Sequence, residues 1–211
     1  MTLTLDAAQK LTDEQIKALP PEEQRRLVQE VFGGLARDYQ ECHLLYYQPV
    51  SATARQIHLS TTKECVASGG NRSSKTDTIL AELAIQMTGI VPHSLMADYP
   101  KDKLRQPIRA RVVCESLTST LVPIILPKLQ WWIWNGRDCC RPGSCGTPGA
   151  PHGHWGWMPR HLLIGGDWAK SWSEKQRTLT LVGGPTCQFM SYDQDIGDFS
   201  GASMHVVFHD E

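Results

Sequence analysis

The residues best placed to do chemistry are Gly69, Gly70, Asn71, Arg72, Ser73, Ser74, Lys75 and Thr76. They follow a short apolar run, Cys65-Val66-Ala67, and precede a helical one from Thr78 to Ile85. Strand, glycine-bearing turn and helix is the setting of a phosphate-binding loop. Backbone N–H groups of such a turn converge with the helix N-terminus on one point, where the helix dipole also favours an anion. Lys75 would place an ammonium on the outer phosphates of a nucleotide, and the Thr76 hydroxyl would ligate Mg²⁺. The pattern G-x-x-x-x-G-K-[ST] is met except at its second glycine, which is Ser74. If that position needs φ > 0, serine there costs on the order of 1–3 kcal/mol. The plain alternative is an ordinary strand-to-helix turn with a stray Lys-Thr.

A second constellation lies at the far end, where the run Met204–Phe208 leads into His209-Asp210-Glu211. A buried parallel strand reads as a nearly continuous apolar run, and ligands sit at the carboxyl ends of such strands. Asp210 would then face the same edge as the loop and hold Mg²⁺ through water. Glu211 would orient and deprotonate an attacking water. The alternative is a strand that ends in two solvated acids.

A third group is Cys139, Cys140, Cys145, His152 and His154, all types that ligate zinc. Their spacing matches none of the standard zinc-finger patterns, so a loosely packed loop is the preferred reading and a zinc site the alternative. Trp131, Trp132, Trp134, Trp155 and Trp157 flank this group and read as partly buried anchors rather than base-stacking platforms.

The elements that must position these groups can be read in outline. The chain has 211 residues, 41% of them hydrophobic and 20% charged, with a net charge of −1. That suits one sizeable globular domain with an appendage and excludes a global basic field for nucleic acid. No run approaches the ~20 apolar residues of a membrane span. The N-terminus lacks signal-peptide character, so the seven cysteines are expected as reduced thiols. Residues 1–50 read as a helical region, with a capping box at Thr12–Gln15 and a helix opened by Pro20-Pro21. Residues 54–58 lead into a first strand over 63–67. A helix follows from about 76 to 87, stopped by Thr88-Gly89, then a second strand over 108–114. A helix over 117–130 carries Pro123 near its first turns and a kink at Pro127. Gly183-Gly184-Pro185 joins two strand-like runs in a hairpin. Residues about 135–160 read as an insert.

Taken together, Gly69-Gly70-Asn71-Arg72-Ser73-Ser74-Lys75-Thr76 resembles the GGNRSGKT loop of tailed-phage terminase large subunits, the DNA-packaging motors. Arg177 to Asp195 resembles the segment before their acidic strand, and Phe199-Ser200-Gly201-Ala202-Ser203 their F-x-G-A-S. Val207-Phe208-His209-Asp210-Glu211 is similar to their hydrophobic run ending in Asp-Glu. The likeness spans most of residues 20–211. It implies a P-loop NTPase with a mainly parallel sheet flanked by helices, truncated after the acidic strand: a partial ATPase domain over 51–211. It implies ATP and Mg²⁺ as cofactors, Lys75 and Thr76 on phosphates and metal, Asp210 on Mg²⁺, Glu211 as catalytic carboxylate and Arg72 stabilising transition-state charge in cis. A glutamine upstream of the loop often reads adenine in that family; Gln56 and Gln48 are the candidates. The implied partners are double-stranded DNA, the portal protein, the terminase small subunit and further copies in a ring. The implied place is the cytoplasm of an infected bacterial host, docked on a procapsid, with no membrane. The implied strand order, 5-1-4-3-2, leaves the strand before the loop without neighbours, so the 211-residue chain by itself is expected to be inactive. A helicase-like ATPase and a non-catalytic nucleotide-binding remnant are the competing readings.

Overall fold

The computed structural model describes residues 19–27, 39, 41–66, 74–133, 153–199 and 203–210, with backbone alone at 131–133, 153–154, 196 and 198. The chain divides into two compact units, Met1–Gln40 and Glu41–Glu211. In the first, helix α1 (21–27) starts at Pro21, where a missing N–H is harmless, and Gln24 N–H donates to Pro20 O at 3.0 Å.

The second unit opens on a 3₁₀ turn, His43–Tyr46, and helix α2, Ala52–Leu59. The Ser51 hydroxyl caps α2 by accepting from Ala54 N at 3.1 Å. Residues 54–58, expected to lead into a strand, are therefore helical. The strand expected over 63–67 does not form across 63–66, which are irregular and exposed, Val66 to 92%. An extended segment holds only when a neighbouring strand completes its hydrogen bonds, and none is beside this one among the described residues.

Helix α3, Lys75–Thr88, matches expectation, and Gly89 ends it in the left-handed region at φ +72°, its N–H bonded to Ile85 O. Nine of its fourteen residues are buried. It is a core helix covered nearly all round, so any polar group on it must find partners inside the protein.

Strand β1, Arg109–Cys114, follows. Next comes a π-helical stretch, Leu117–Ile125, capped by the Ser116 hydroxyl and containing Pro123. It tightens into helix α4, Leu126–Gln130. The single kinked helix expected here is thus two windings in series. Strands β2, Trp131–Ile133, and β3, Gly153–Trp155, form a separate antiparallel pair. Just past β3 the backbone runs against α4: Gly156, Trp157 and Met158 donate to the carbonyls of Gln130, Lys128 and Leu129. Trp155, Trp157 and Met158 are buried, so the tail of the segment read as an insert belongs to the core.

Helix α5, Trp168–Ser171, leads into β4, Trp172–Ser173, then β5, Thr178–Thr180, and β6, Thr186–Ser191. Helix α6, Ile196–Phe199, precedes the last strand, β7, Val206–His209. The five-stranded sheet runs β4-β5-β6-β1-β7. Strands β6, β1 and β7 are mutually parallel neighbours, whereas β4-β5 and β5-β6 are antiparallel. The fold is α/β with a mixed sheet, not the mainly parallel one expected. The reason is local: the Gly183-Gly184-Pro185 turn is too short to link parallel strands, so the hairpin adds to the sheet in antiparallel sense. Both glycines have positive φ, as such a turn demands.

Alternation sorts the sheet's two faces. Ala110, Val112 and Cys114 of β1, Cys187 and Phe189 of β6 and Leu179 of β5 join the core with α3, and Val206 and Phe208 of β7 pack against it. Register puts Thr178, Gln188, Arg111 and Val207 in one row on the opposite face. Strand β7 is an edge strand and only half-buried, less covered than its apolar sequence suggested. Among the described residues, Cys42, Cys65, Cys114 and Cys187 are free thiols, and no helix is long and apolar enough to cross a membrane.

Candidate phosphate and magnesium site

Three parallel strands end at one edge of the sheet. Past their ends, Tyr192 N–H donates to Cys114 O and Asp210 N–H donates to Val113 O, which extends both ladders by a residue. Asp210 is thereby fixed at the carboxyl end of β7, and it is 4% exposed. The sequence placed it there for this reason, and the structure adds what it touches. The Thr76 hydroxyl donates to the Asp210 carboxylate, at 2.9 Å from Oδ1 and 3.2 Å from Oδ2. Thr76 lies in the first turn of α3, so the helix N-terminus points at the end of the acidic strand.

Ser74 is the residue just before α3, and its backbone is left-handed at φ 58°, ψ 25°. The position that the motif reserves for glycine is thus one where a left-handed backbone is required. The Ser74 carbonyl accepts from Thr78 N at 3.0 Å and from the Thr78 hydroxyl at 3.0 Å. Asp77, in the first turn, is held by Lys128 of α4 at 2.6 Å. These contacts tie the helix start to the strand end and to α4.

The arrangement suits a divalent cation. A hydroxyl and a carboxylate in contact offer two hard oxygen ligands of the kind Mg²⁺ takes, leaving other positions for water and phosphate. No group of three or more His, Cys, Asp or Glu side chains could hold a metal among the described residues. Burial and then the charge of Asp210 push the Cys114 thiol above its ordinary value. Beside the site, Tyr192 stacks on His209 and its hydroxyl lies 3.1 Å from His209 Nδ1.

Gly69, Gly70, Asn71, Arg72, Ser73 and Glu211 lie outside the described residues. So do Cys139, Cys140, Cys145 and His152, and of His154 only the backbone is described, in β3. Gln56 sits on the exposed face of α2, and Gln48 is exposed as well. A groove of about 440 Å³ lined by Lys175, Arg177, Gln188 and Gln194 opens on β5 and β6, apart from Thr76 and Asp210.

Behind α3 lies a buried polar cluster that sequence reasoning missed. Glu82 Oε2 is 2.7 Å from His58 Nδ1, and His58 Nε2 is 2.8 Å from the Tyr47 hydroxyl. Tyr99 and Gln86 donate to Glu82 Oε1 at 2.9 and 2.7 Å, and Lys103 pairs with it at 2.5 Å. Burial pushes the Glu82 carboxyl up, but the His58 hydrogen bond and the Lys103 charge outweigh it and hold it below its ordinary value. The one available signal was an acid inside the otherwise apolar run Ile79–Ile85.

The site and sheet together define an α/β protein with a helix N-terminus facing an acid at a strand end. Neither family models, nor curated proteins, nor solved structures show a match to this chain.

Proposed function

We propose that the chain is the ATP-binding half of a DNA-packaging ATPase of the terminase large-subunit type. One observation carries the reading: Thr76 and Asp210, 134 positions apart, meet through a hydroxyl–carboxylate hydrogen bond at the carboxyl edge of the sheet. The residue types are those the loop and acidic-strand motifs assign to one magnesium ion. The left-handed backbone at Ser74 supports it from the other side, because it is the conformation for which the motif carries glycine.

In this reading ATP is the substrate, and Thr76 and Asp210 would hold a Mg²⁺ that would supply charge neutralisation on its outer phosphates. Lys75 places its ammonium on the same phosphates. Glu211 accepts a proton from the attacking water, whose oxygen bonds to the γ-phosphorus while the bond to the ADP oxygen breaks. Arg72 spreads the charge of the transferring group. Hydrolysis drives double-stranded DNA into a procapsid in the host cytoplasm, with the portal protein, the small subunit and further copies in a ring as partners. Gln56, on an exposed helix face, is the adenine-reading candidate. A second reading, a nucleotide-binding remnant without turnover, is favoured by Ser74, whose side chain occupies a strained backbone position.

Titrating Mg·ATP into the chain and into Lys75→Ala tests the proposal. Saturable binding that drops at least tenfold in Lys75→Ala supports it. Equal binding by both, or none by either, overturns it. A steady-state hydrolysis assay on a chain extended through the rest of the ATPase separates an ATPase from a remnant.

A further inference from the structure

The groove on β5 and β6 is lined from two stretches of chain. Lys175 and Arg177 belong to the turn between β4 and β5, Gln188, Phe189 and Met190 to β6, and Gln194 follows β6. Two of these residues are cations and no acid lines the groove. Neither the Lys175 ammonium nor the Arg177 guanidinium has a hydrogen-bond or ion-pair partner among the described residues. Glu174, the acid next to them in sequence, instead accepts from the Trp172 indole N–H at 2.7 Å.

The two amides are already oriented. Gln188 Oε1 accepts from Arg111 Nε at 3.2 Å and from Arg111 Nη2 at 2.8 Å. Gln194 Oε1 accepts from Ser191 N at 3.0 Å. With both carbonyl oxygens occupied, each side chain has N–H groups left to offer. Gln188 also joins the groove to Arg111, which is 5% exposed. The remaining contacts of Arg111 are Nη1 to Phe199 O at 3.1 Å and its guanidinium over the Phe199 ring at 5.7 Å. All its partners are neutral: no carboxylate pairs with this buried charge among the described residues. Buried charges are ordinarily paired, because an uncompensated one is costly.

Arg177 also has a left-handed backbone, at φ 49°, and its carbonyl accepts from Phe189 N at 2.8 Å. Glycine or asparagine would adopt this turn conformation at less cost. Among the described non-glycine residues only Ser74 shares a positive φ, and backbone strain of this kind clusters where ligands bind.

We propose that this groove is a second anion site, separate from Thr76 and Asp210, that takes a small phosphate monoester. Lys175 and Arg177 match the charge of such a group, about −1.5 to −2 at pH 7. The Gln188 and Gln194 amides donate to its remaining oxygens, and the unpaired charge of Arg111 adds to the attraction. The volume of about 440 Å³ lies in the range of small-ligand sites. A nucleic-acid backbone fits less well, because a chain of net charge −1 offers no global basic field to hold a polyanion. The site stands independently of the nucleotide reading.

The test titrates phenyl phosphate, in EDTA and without nucleotide, into the ¹⁵N-labelled chain. Saturable shifts are expected at the amides of Lys175 to Thr178, Gln188 to Met190 and Gln194, and they persist in Lys75→Ala. Arg177→Gly removes the cation and the backbone strain together. It should bind about five- to tenfold more weakly while unfolding at higher urea concentration. If Arg177 serves the turn alone, the stability gain comes with unchanged binding, which overturns the proposal. Gln188→Glu gives Arg111 a carboxylate partner, so it should remain folded and lose the binding. Absence of saturable binding overturns the site. Binding that vanishes in Lys75→Ala and survives in Arg177→Gly does so too, since it then belongs to the loop before α3. A short DNA duplex that shifts the same amides at lower concentration than phenyl phosphate would make the groove a nucleic-acid surface and overturn the small-ligand assignment.

Discussion

The Thr76 hydroxyl lies 2.9 Å from Asp210 Oδ1, so the first turn of α3 and the end of β7 are locked together across the sheet edge. The strand expected before the loop is missing over 63–66, and β7 has β1 as its neighbour. The two magnesium-ligating residue types nonetheless meet. Leu80, Leu83 and Ala84 of α3 share one buried core with the inward row of the sheet, and no ladder lies next to the loop among the described residues.

Ser74→Gly removes a side chain from a left-handed backbone. The strain relieved, about 1–2 kcal/mol, exceeds the extra flexibility of the unfolded chain, about 0.4–1 kcal/mol. The variant should be more stable by about 0.5–1 kcal/mol and should bind Mg·ATP more tightly. Ser74→Val should lose stability. Urea unfolding and nucleotide titration check both; unchanged midpoints in the two variants would show that the loop accommodates serine without strain.

What could be read from the sequence was what local chemistry decides. Helix α3 and its glycine stop, β1, the Gly-Gly-Pro hairpin and the acidic strand each carry their signal within a few residues. The parts that were misread depend on distant partners. Cys65-Val66-Ala67 looks like a strand, but a strand is made by its neighbour, and none pairs with 63–66 among the described residues. Ala54–His58 is helical because the Ser51 hydroxyl caps it, a single side-chain contact that hydrophobic patterning does not register. The partners of Glu82 come from positions 58, 86, 99 and 103, and only the one at 86 is a helical neighbour.

Glu82 makes stability depend on acidity. Its folded-state value is held below the ordinary 4.5, so its contribution is present above about pH 4.5 and is lost as the pH falls through the folded value. Glu82→Gln leaves Lys103 and His58 facing a neutral amide and should cost about 3 kcal/mol at pH 7. Chemical unfolding of parent and variant between pH 3 and 7 checks this. The parent should lose stability more steeply on the acid side, and parallel curves would contradict the assignment.

Gly156 is a packing requirement that no motif signalled. A Cβ there would sit 2.2 Å from Lys128 O and 2.6 Å from Leu129 C, both backbone atoms that cannot swing away. Gly156→Ala should therefore force β3 off α4 and destabilise the protein by about 1–3 kcal/mol. Thermal unfolding followed by tryptophan fluorescence would register it, since Trp155 and Trp157 flank the site; a melting temperature equal to the parent's would refute the close approach.

The most direct measurement is calorimetric titration of ATP into the parent chain, Asp210→Asn and Thr76→Val, each with Mg²⁺ and with EDTA, on samples shown to be folded by circular dichroism. If Thr76 and Asp210 hold the magnesium of a bound nucleotide, the parent binds at least tenfold more tightly with Mg²⁺ than without, and both variants lose that difference. Magnesium dependence that survives in Asp210→Asn and Thr76→Val at the parental level would contradict the site.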